Sequence, residues 1–210
     1  MSLSNGVNLI GISGHAGSGK DSLATYLHTF YQNVYIESFA GPLKAACSQA
    51  FGIPIEQFSD RDLKEERNEY WNVSPREIAQ YIGTEFFRER INELTRDDPS
   101  FWIRRLEGKL LGQLLLEGDG EYAEGDTVII QDVRFQDEYD WIVGTGGIIL
   151  HITRPGHIGN VGISGHASEA GFEFTNPEVT HVIENNGTLE ELFSKAAKHF
   201  PAYLLSISPN

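Results

Sequence analysis

The stretch Gly14-His15-Ala16-Gly17-Ser18-Gly19-Lys20-Asp21-Ser22 decides how this chain is read. It fits the phosphate-binding pattern G-x-x-x-x-G-K, with Asp21 where Ser or Thr usually follows the lysine. Glycines let successive backbone N–H groups turn inward around an anionic phosphate, and a lysine at Lys20 can reach β- and γ-phosphates. Val7, Leu9, Ile10 and Ile12 form an apolar β-run before the loop. Leu23, Ala24, Tyr26 and Leu27 follow at helical spacing. That order turns the positive end of a helix dipole toward the phosphates. A glycine-rich turn that only mimics the motif would lack the sequence strand, loop, lysine, helix.

Outward from the loop, strands and helices alternate. The pattern predicts strands at 7–13, 34–39, 127–131, 147–153 and 181–184, and helices at 20–32, 42–52, 75–94, 101–116, 137–143 and 189–199. Ser74-Pro75-Arg76-Glu77 is a capping box with proline at the first helical position. Trp102, Leu106, Leu110 and Leu114 give the helix from Phe101 one apolar side. Residues 59–69 are densely charged and read as an exposed, mobile segment. Residues 118–126 read as an acidic loop, and 154–176 as a lid, being long for a connection inside a compact domain. Alternation of this kind implies an α/β fold with a parallel sheet covered on both faces. Gly11-Ile12-Ser13-Gly14-His15-Ala16 recurs at Gly162–Ala167 without the lysine, which reads as coincidence rather than duplication.

With 210 residues the chain suffices for one domain and a sizeable core. Sixteen basic against 30 acidic residues give a formal charge of −14, which disfavours nucleic acid and anionic membranes as partners. Cys47 is the single cysteine, so no intramolecular disulfide forms, and a small buried apolar role suits it better than a nucleophilic one. No apolar run approaches a membrane span, and residues 1–7 do not resemble a signal peptide, so a cytoplasmic location is expected. His15, His151, His157, His166 and His181 lack zinc-like spacing.

Three clusters carry chemistry. Val128-Ile129-Ile130-Gln131-Asp132 is an apolar strand ending in a carboxylate, and the loop upstream favours a metal-associated role over a cap or turn. Arg134 follows at the same sheet edge, where a ligand-facing guanidinium and a surface ion pair with Asp137 or Glu138 fit equally well. Arg76, Gln80, Thr84 and Arg88 lie four apart, a polar stripe with two forked cations and an amide. On pattern alone a solvated helix face accounts for that stripe better. Arg154 opens the lid-like stretch.

Together these motifs resemble the bacteriophage deoxynucleoside monophosphate kinases, a branch of the nucleoside-monophosphate-kinase group. The likeness rests on Gly19-Lys20-Asp21-Ser22, Ser38-Phe39-Ala40-Gly41-Pro42-Leu43-Lys44, Ser74-Pro75-Arg76 through Gln80, and Gly83-Thr84-Glu85 with Arg88. Asp132-Val133-Arg134-Phe135 and His166-Ala167-Ser168-Glu169 complete it. The resemblance implies a P-loop three-layer α/β/α sandwich in one domain, with an acceptor-binding helical region near 40–115 and a lid near 154–176. It implies ATP as donor, held by Gly14, Ala16, Gly17, Ser18, Gly19, Lys20, Asp21 and Ser22, with Asn185 and Gly187 near the adenine. A deoxynucleoside 5′-monophosphate acceptor would meet Lys44, Arg76, Gln80, Thr84, Arg88 and Arg134. Lys20, Arg134 and Arg154 would act on the transferred group, and Ser22 and Asp132 would hold Mg²⁺ through water. Gly41 departs from the family, which often carries Asp there. Small nucleotides are the expected partners, and the oligomeric state stays open, a homodimer included. The rival readings are a dephospho-coenzyme A or phosphomevalonate-type kinase on the same scaffold, and a nucleotide-gated switch that transfers nothing.

Overall fold

Five short strands form a fully parallel sheet, in the order Val34–Glu37, Thr127–Val133, Asn8–Ser13, Ile148–Thr153 and Thr180–Glu184. The structure, a computed structural model, describes residues 6–95, 100–112, 122–156 and 171–200. The strands are β1 (Asn8–Ser13), β2 (Val34–Glu37), β3 (Thr127–Val133), β4 (Ile148–Thr153) and β5 (Thr180–Glu184). Two compact units emerge. One comprises residues 6–38, 106–112, 122–156 and 171–200, and the other 39–95 with 100–105.

The first unit holds the sheet. Ile10 and Ile12 of β1, Ile129 of β3, Leu150 and Ile152 of β4 and Ile183 of β5 share one face. They pack against Leu23, Ala24 and Leu27 of α1 (Lys20–Phe30) and Leu192 and Ala196 of α7 (Leu189–Ala197). Alternation sends Gly11, Val133 and Ile149 to the opposite face, where Ile142 of α6 (Gln136–Gly144) meets them. The result is three layers, helix on sheet on helix, as the sequence implies. Each fully buried Ile or Leu here contributes about 1.5–3 kcal/mol of transfer free energy. Lys109 and Tyr122 both donate to Glu37 at the end of β2, the lysine at 2.8 Å.

The chain leaves β1 toward β2 and leaves β3 toward β4, so these neighbouring strands send it in opposite directions across the sheet. Ligands of open α/β sheets bind outside the carboxyl ends of strands at such a reversal. The phosphate-loop sequence follows β1 and Arg134 follows β3, so both candidate segments stand at that edge.

The second unit is helical. It holds α2 (Gly41–Phe51), single 3₁₀ turns at Ile55–Phe58 and Leu63–Glu65, α3 (Pro75–Tyr81), a π-helical segment Ile82–Ile91 and α4 (Asn92–Thr95). The division from the first unit falls within α5 (Phe101–Leu110).

Several sequence expectations need correction. The helix expected at 75–94 is α-helical only to Tyr81 before it widens to π register. The strand expected at 34–39 ends at Glu37, because Pro42 at the second position of α2 draws the chain out of the sheet early. Residues 59–69 are largely exposed but carry an ordered turn at Leu63–Glu65. Leu114, residues 118–121 of the acidic loop, the second Gly-Ile-Ser-Gly-His-Ala run, His157, His166 and the body of the expected lid lie outside the described residues.

Candidate active site

The phosphate loop takes its shape from its glycines. Gly14, Gly17 and Gly19 sit at φ +132°, +74° and +108°. A Cβ at Gly14 would collide with the carbonyl oxygen of Ile152, so this position admits only glycine. Lys20 begins α1, and its Nζ donates to the His15 carbonyl at 2.9 Å, folding back over the loop it closes. Ser18 is 2% exposed, and its Oγ has no hydrogen-bond partner among the described residues. A buried hydroxyl left in that state needs a ligand or water to complete it. Asp21 is exposed and Ser22 half-buried on the first turn of α1.

Two side chains hold the loop from outside. Asn185, buried in the turn between β5 and α7, donates from Nδ2 to the Ser18 carbonyl at 2.8 Å. Its own N–H donates to the Thr153 carbonyl at 2.7 Å. Arg154, exposed beyond β4, donates to the Gly17 carbonyl at 3.3 Å. Gly187 is exposed just ahead of the α7 capping box formed by Thr188 and Glu191.

Beneath the loop, Ser13 Oγ lies 2.9 Å from Nδ1 of His151 on the neighbouring strand. Burial, then electrostatic repulsion from His15 and Lys20, pull the His151 pKa below the usual imidazole value. The imidazole therefore stays neutral beside the phosphate site at physiological pH. Periodicity gave no sign of this pair, since the two residues meet only through strand pairing.

Asp132 does not end its strand, as the sequence suggests, but lies within β3 at a bulge. Gly11 pairs with Ile130 and Ser13 with Val133, so Gln131 and Asp132 both stand opposite Ile12. A bulge re-aims the side chains it carries, and bulges gather near active sites. Arg134 follows, half-buried. Glu138 is not the surface partner considered from sequence. It is 2% exposed and accepts the backbone N–H groups of Arg134 and Phe135 at 2.8 and 3.1 Å. That buried carboxylate fixes the backbone from which Arg134 projects.

The second unit carries Lys44, Arg76, Gln80, Thr84 and Arg88. Lys44 is half-buried in the first turn of α2. Ser74 and Glu77 form the expected reciprocal cap of α3, at 2.8 and 3.2 Å, and its backbone bond holds the Glu77 pKa low. None of the four stripe residues is exposed, and Gln80 is 8% exposed. Tyr81 and Phe86 take the solvent side instead, which excludes the solvated-face reading. Arg76 Nε donates to Glu65 Oε1 at 2.5 Å, and its side chain is only 9% exposed. Sequence reasoning missed Glu65, because nothing periodic links residues eleven apart.

Among the described residues no three His, Cys, Asp or Glu side chains cluster to hold a metal by themselves. Ser22 on the first turn of α1 and Asp132 in β3 carry hard oxygen donors of the kind Mg²⁺ accepts alongside water. Cys47 is buried, which pushes its thiol up to about 11 and leaves it unreactive at neutral pH. No helix among the described residues is long and apolar enough to cross a membrane.

A family model for deoxynucleotide monophosphate kinase matches residues 54–196. The chain belongs to the deoxynucleotide monophosphate kinase family. A mimivirus protein that carries the same family name, from Acanthamoeba polyphaga mimivirus, is 33% identical over 198 residues, covering 89% of this chain and 93% of its own. The deoxynucleotide monophosphate kinase of Enterobacteria phage T4 is 24% identical over 241 residues, covering 90% and 97%. A gluconokinase structure from Sinorhizobium meliloti 1021 overlaps loosely, at 12% identity and a TM-score of 0.39 over 91% of this chain and 90% of that one. This kinase family is the one the motifs resemble. Its model starts at residue 54, so the match includes the Arg76–Arg88 stripe and Asp132–Arg134 but not the phosphate loop.

Proposed function

We propose that this kinase transfers the γ-phosphoryl group of ATP to a deoxynucleoside 5′-monophosphate, giving the diphosphate. The observation that carries this reading is that one chain holds two cationic sets: a phosphate loop closed by Lys20, and a half-buried stripe with Arg76 and Arg88. A protein that only binds or hydrolyses ATP has no use for the second set.

The acceptor oxygen is already an oxyanion, so no strong general base is needed, and catalysis reduces to alignment and charge neutralisation. The loop N–H groups and Lys20 bind the donor phosphates, with the orphan Ser18 hydroxyl completed by the ligand. Arg134, set by Glu138, and Arg154 neutralise the charge on the transferred group. Arg76 and Arg88 hold the acceptor phosphate with Lys44, while Gln80 and Thr84 present hydrogen-bonding groups to the nucleoside. Ser22 and Asp132 would hold Mg²⁺ through water, and the ion would supply positive charge against the phosphates.

A coupled assay with ATP and Mg²⁺ over all deoxy- and ribonucleoside monophosphates, dephospho-coenzyme A and phosphomevalonate tests this. ADP release should depend on a deoxynucleoside monophosphate. Faster turnover with either non-nucleotide acceptor, or ATP loss indifferent to every acceptor, contradicts the proposal.

A further inference from the structure

Arg76, Gln80, Thr84 and Arg88 are spaced by four, which does not align residues along an α-helix. Four α-helical residues overshoot a full turn by ~40°, so three such steps would carry Arg88 ~120° round from Arg76. In a π turn the i→i+5 bond encloses one residue more, and four residues stop short of the full turn. The step from Arg76 to Gln80 lies in α3, and the step from Thr84 to Arg88 lies in the π segment Ile82–Ile91. The two drifts have opposite signs. The change of register therefore returns Arg88 toward the line of Arg76 and Gln80.

Something must hold so long a π segment, because such turns occur mostly as single bulges. Trp102 of α5 grips it at two points. Its indole N–H donates to the Gly83 carbonyl at 3.1 Å in a buried bond, and its ring lies 4.9 Å from that of Phe87. Gly83 and Phe87 immediately precede Thr84 and Arg88 in the chain. Leu43 of α2 closes the other side, since a Cβ at Gly83 would stand 2.6 Å from Leu43 Cδ2.

We infer that Trp102 is a positioning residue for the acceptor, acting by fixing the π register that brings Arg88 into line with Arg76 and Gln80. The inference rests on the reading of Arg88 as an acceptor ligand. Trp102→Phe removes the donor and keeps most of the ring.

The test is a double-mutant cycle of Trp102→Phe with Arg88→Ala, read as KM for the preferred monophosphate. Trp102→Phe alone should raise that KM about 10-fold, the effect of one lost buried hydrogen bond. The KM for ATP and kcat at saturating acceptor should stay within about 2-fold. On the Arg88→Ala background the same change should move the acceptor KM less than about 2-fold, because its effect passes through Arg88. An equal factor on both backgrounds, or none in the parent, overturns the inference while leaving the proposed reaction standing. An Arg88→Ala variant with unchanged acceptor KM removes the acceptor assignment, and the inference with it. Should Trp102→Phe fail to fold, Phe87→Leu, which loosens the second point of the grip, takes its place in the same cycle, with the same expected and contrary results.

Discussion

The phosphate loop and the proposed acceptor helix would present cationic groups to anions by opposite means. In the loop the backbone does the work. Nine consecutive residues carry three left-handed glycines, the lysine and the helix start, and the outside holds from Asn185 and Arg154 steady a shape already coded locally. In the acceptor helix the side chains do the work, and their direction depends on a helical register set by distant residues. Trp102 grips Gly83, Leu43 closes against it and Glu65 takes Arg76. A backbone cradle is written in one stretch of sequence, whereas a side-chain stripe is written across a whole unit.

The sharpest way to break this comparison is to remove a cation from the donor side. Lys20→Ala should cut kcat by about 10³-fold or more, with a thermal midpoint within a few degrees of the parent. Arg134→Ala should fall in the same range or slightly below, measured by the coupled assay. Near-normal turnover in either variant would refute its assignment.

The next test sets one glycine against another. Gly14→Ala places a methyl against the Ile152 backbone and should cost about 2–4 kcal/mol of stability and most ATP binding. Gly83→Ala meets only the flexible tip of Leu43 and gains helix propensity, so it should stay within about 1 kcal/mol by urea unfolding. Equal costs would erase the distinction between a rigid backbone cradle and an adjustable helix.

Asn185→Ala comes next in size. It should raise the KM for ATP, GTP and dATP alike by about 10-fold, since the side chain holds the loop at Ser18. A shift confined to adenine nucleotides would instead make it a base contact, as the family resemblance implies.

The smallest effect is with pH. His151 and His181 both have lowered pKa values, first from burial, then from His15 and Lys20 in one case and His199 in the other. The unfolded chain therefore binds more protons just below ~6.5. Stability is full above that pH and is lost as pH falls through the folded values. Urea midpoints between pH 7.5 and 5.5 should show this decline, and His151→Asn should flatten part of it.

These contrasts match what was legible in the sequence. The three-layer fold, the strand order of events along the chain, the Ser74–Glu77 cap and the loop could be read because each depends on residues within one turn or one strand. Asp132 was expected at a strand end, and the bulge opposite Ile12 was invisible because it arises from pairing with β1. The stripe shows in its four-residue spacing, which reads as an α-helical face, whereas the wider register of Ile82–Ile91 goes with an indole nineteen residues beyond Gly83, at a distance that spacing does not report. Glu138 had a partial signal, an acid three residues after Phe135 at a helix start, but nothing marked it as buried.

The central claim is that two anion sites serve one transfer. Rapid-quench experiments with γ-³²P-labelled ATP and a deoxynucleoside monophosphate follow the label directly. The account expects the label to appear in the deoxynucleoside diphosphate, one per ADP formed, with little in inorganic phosphate. Label released as inorganic phosphate at the same rate with and without acceptor would contradict it.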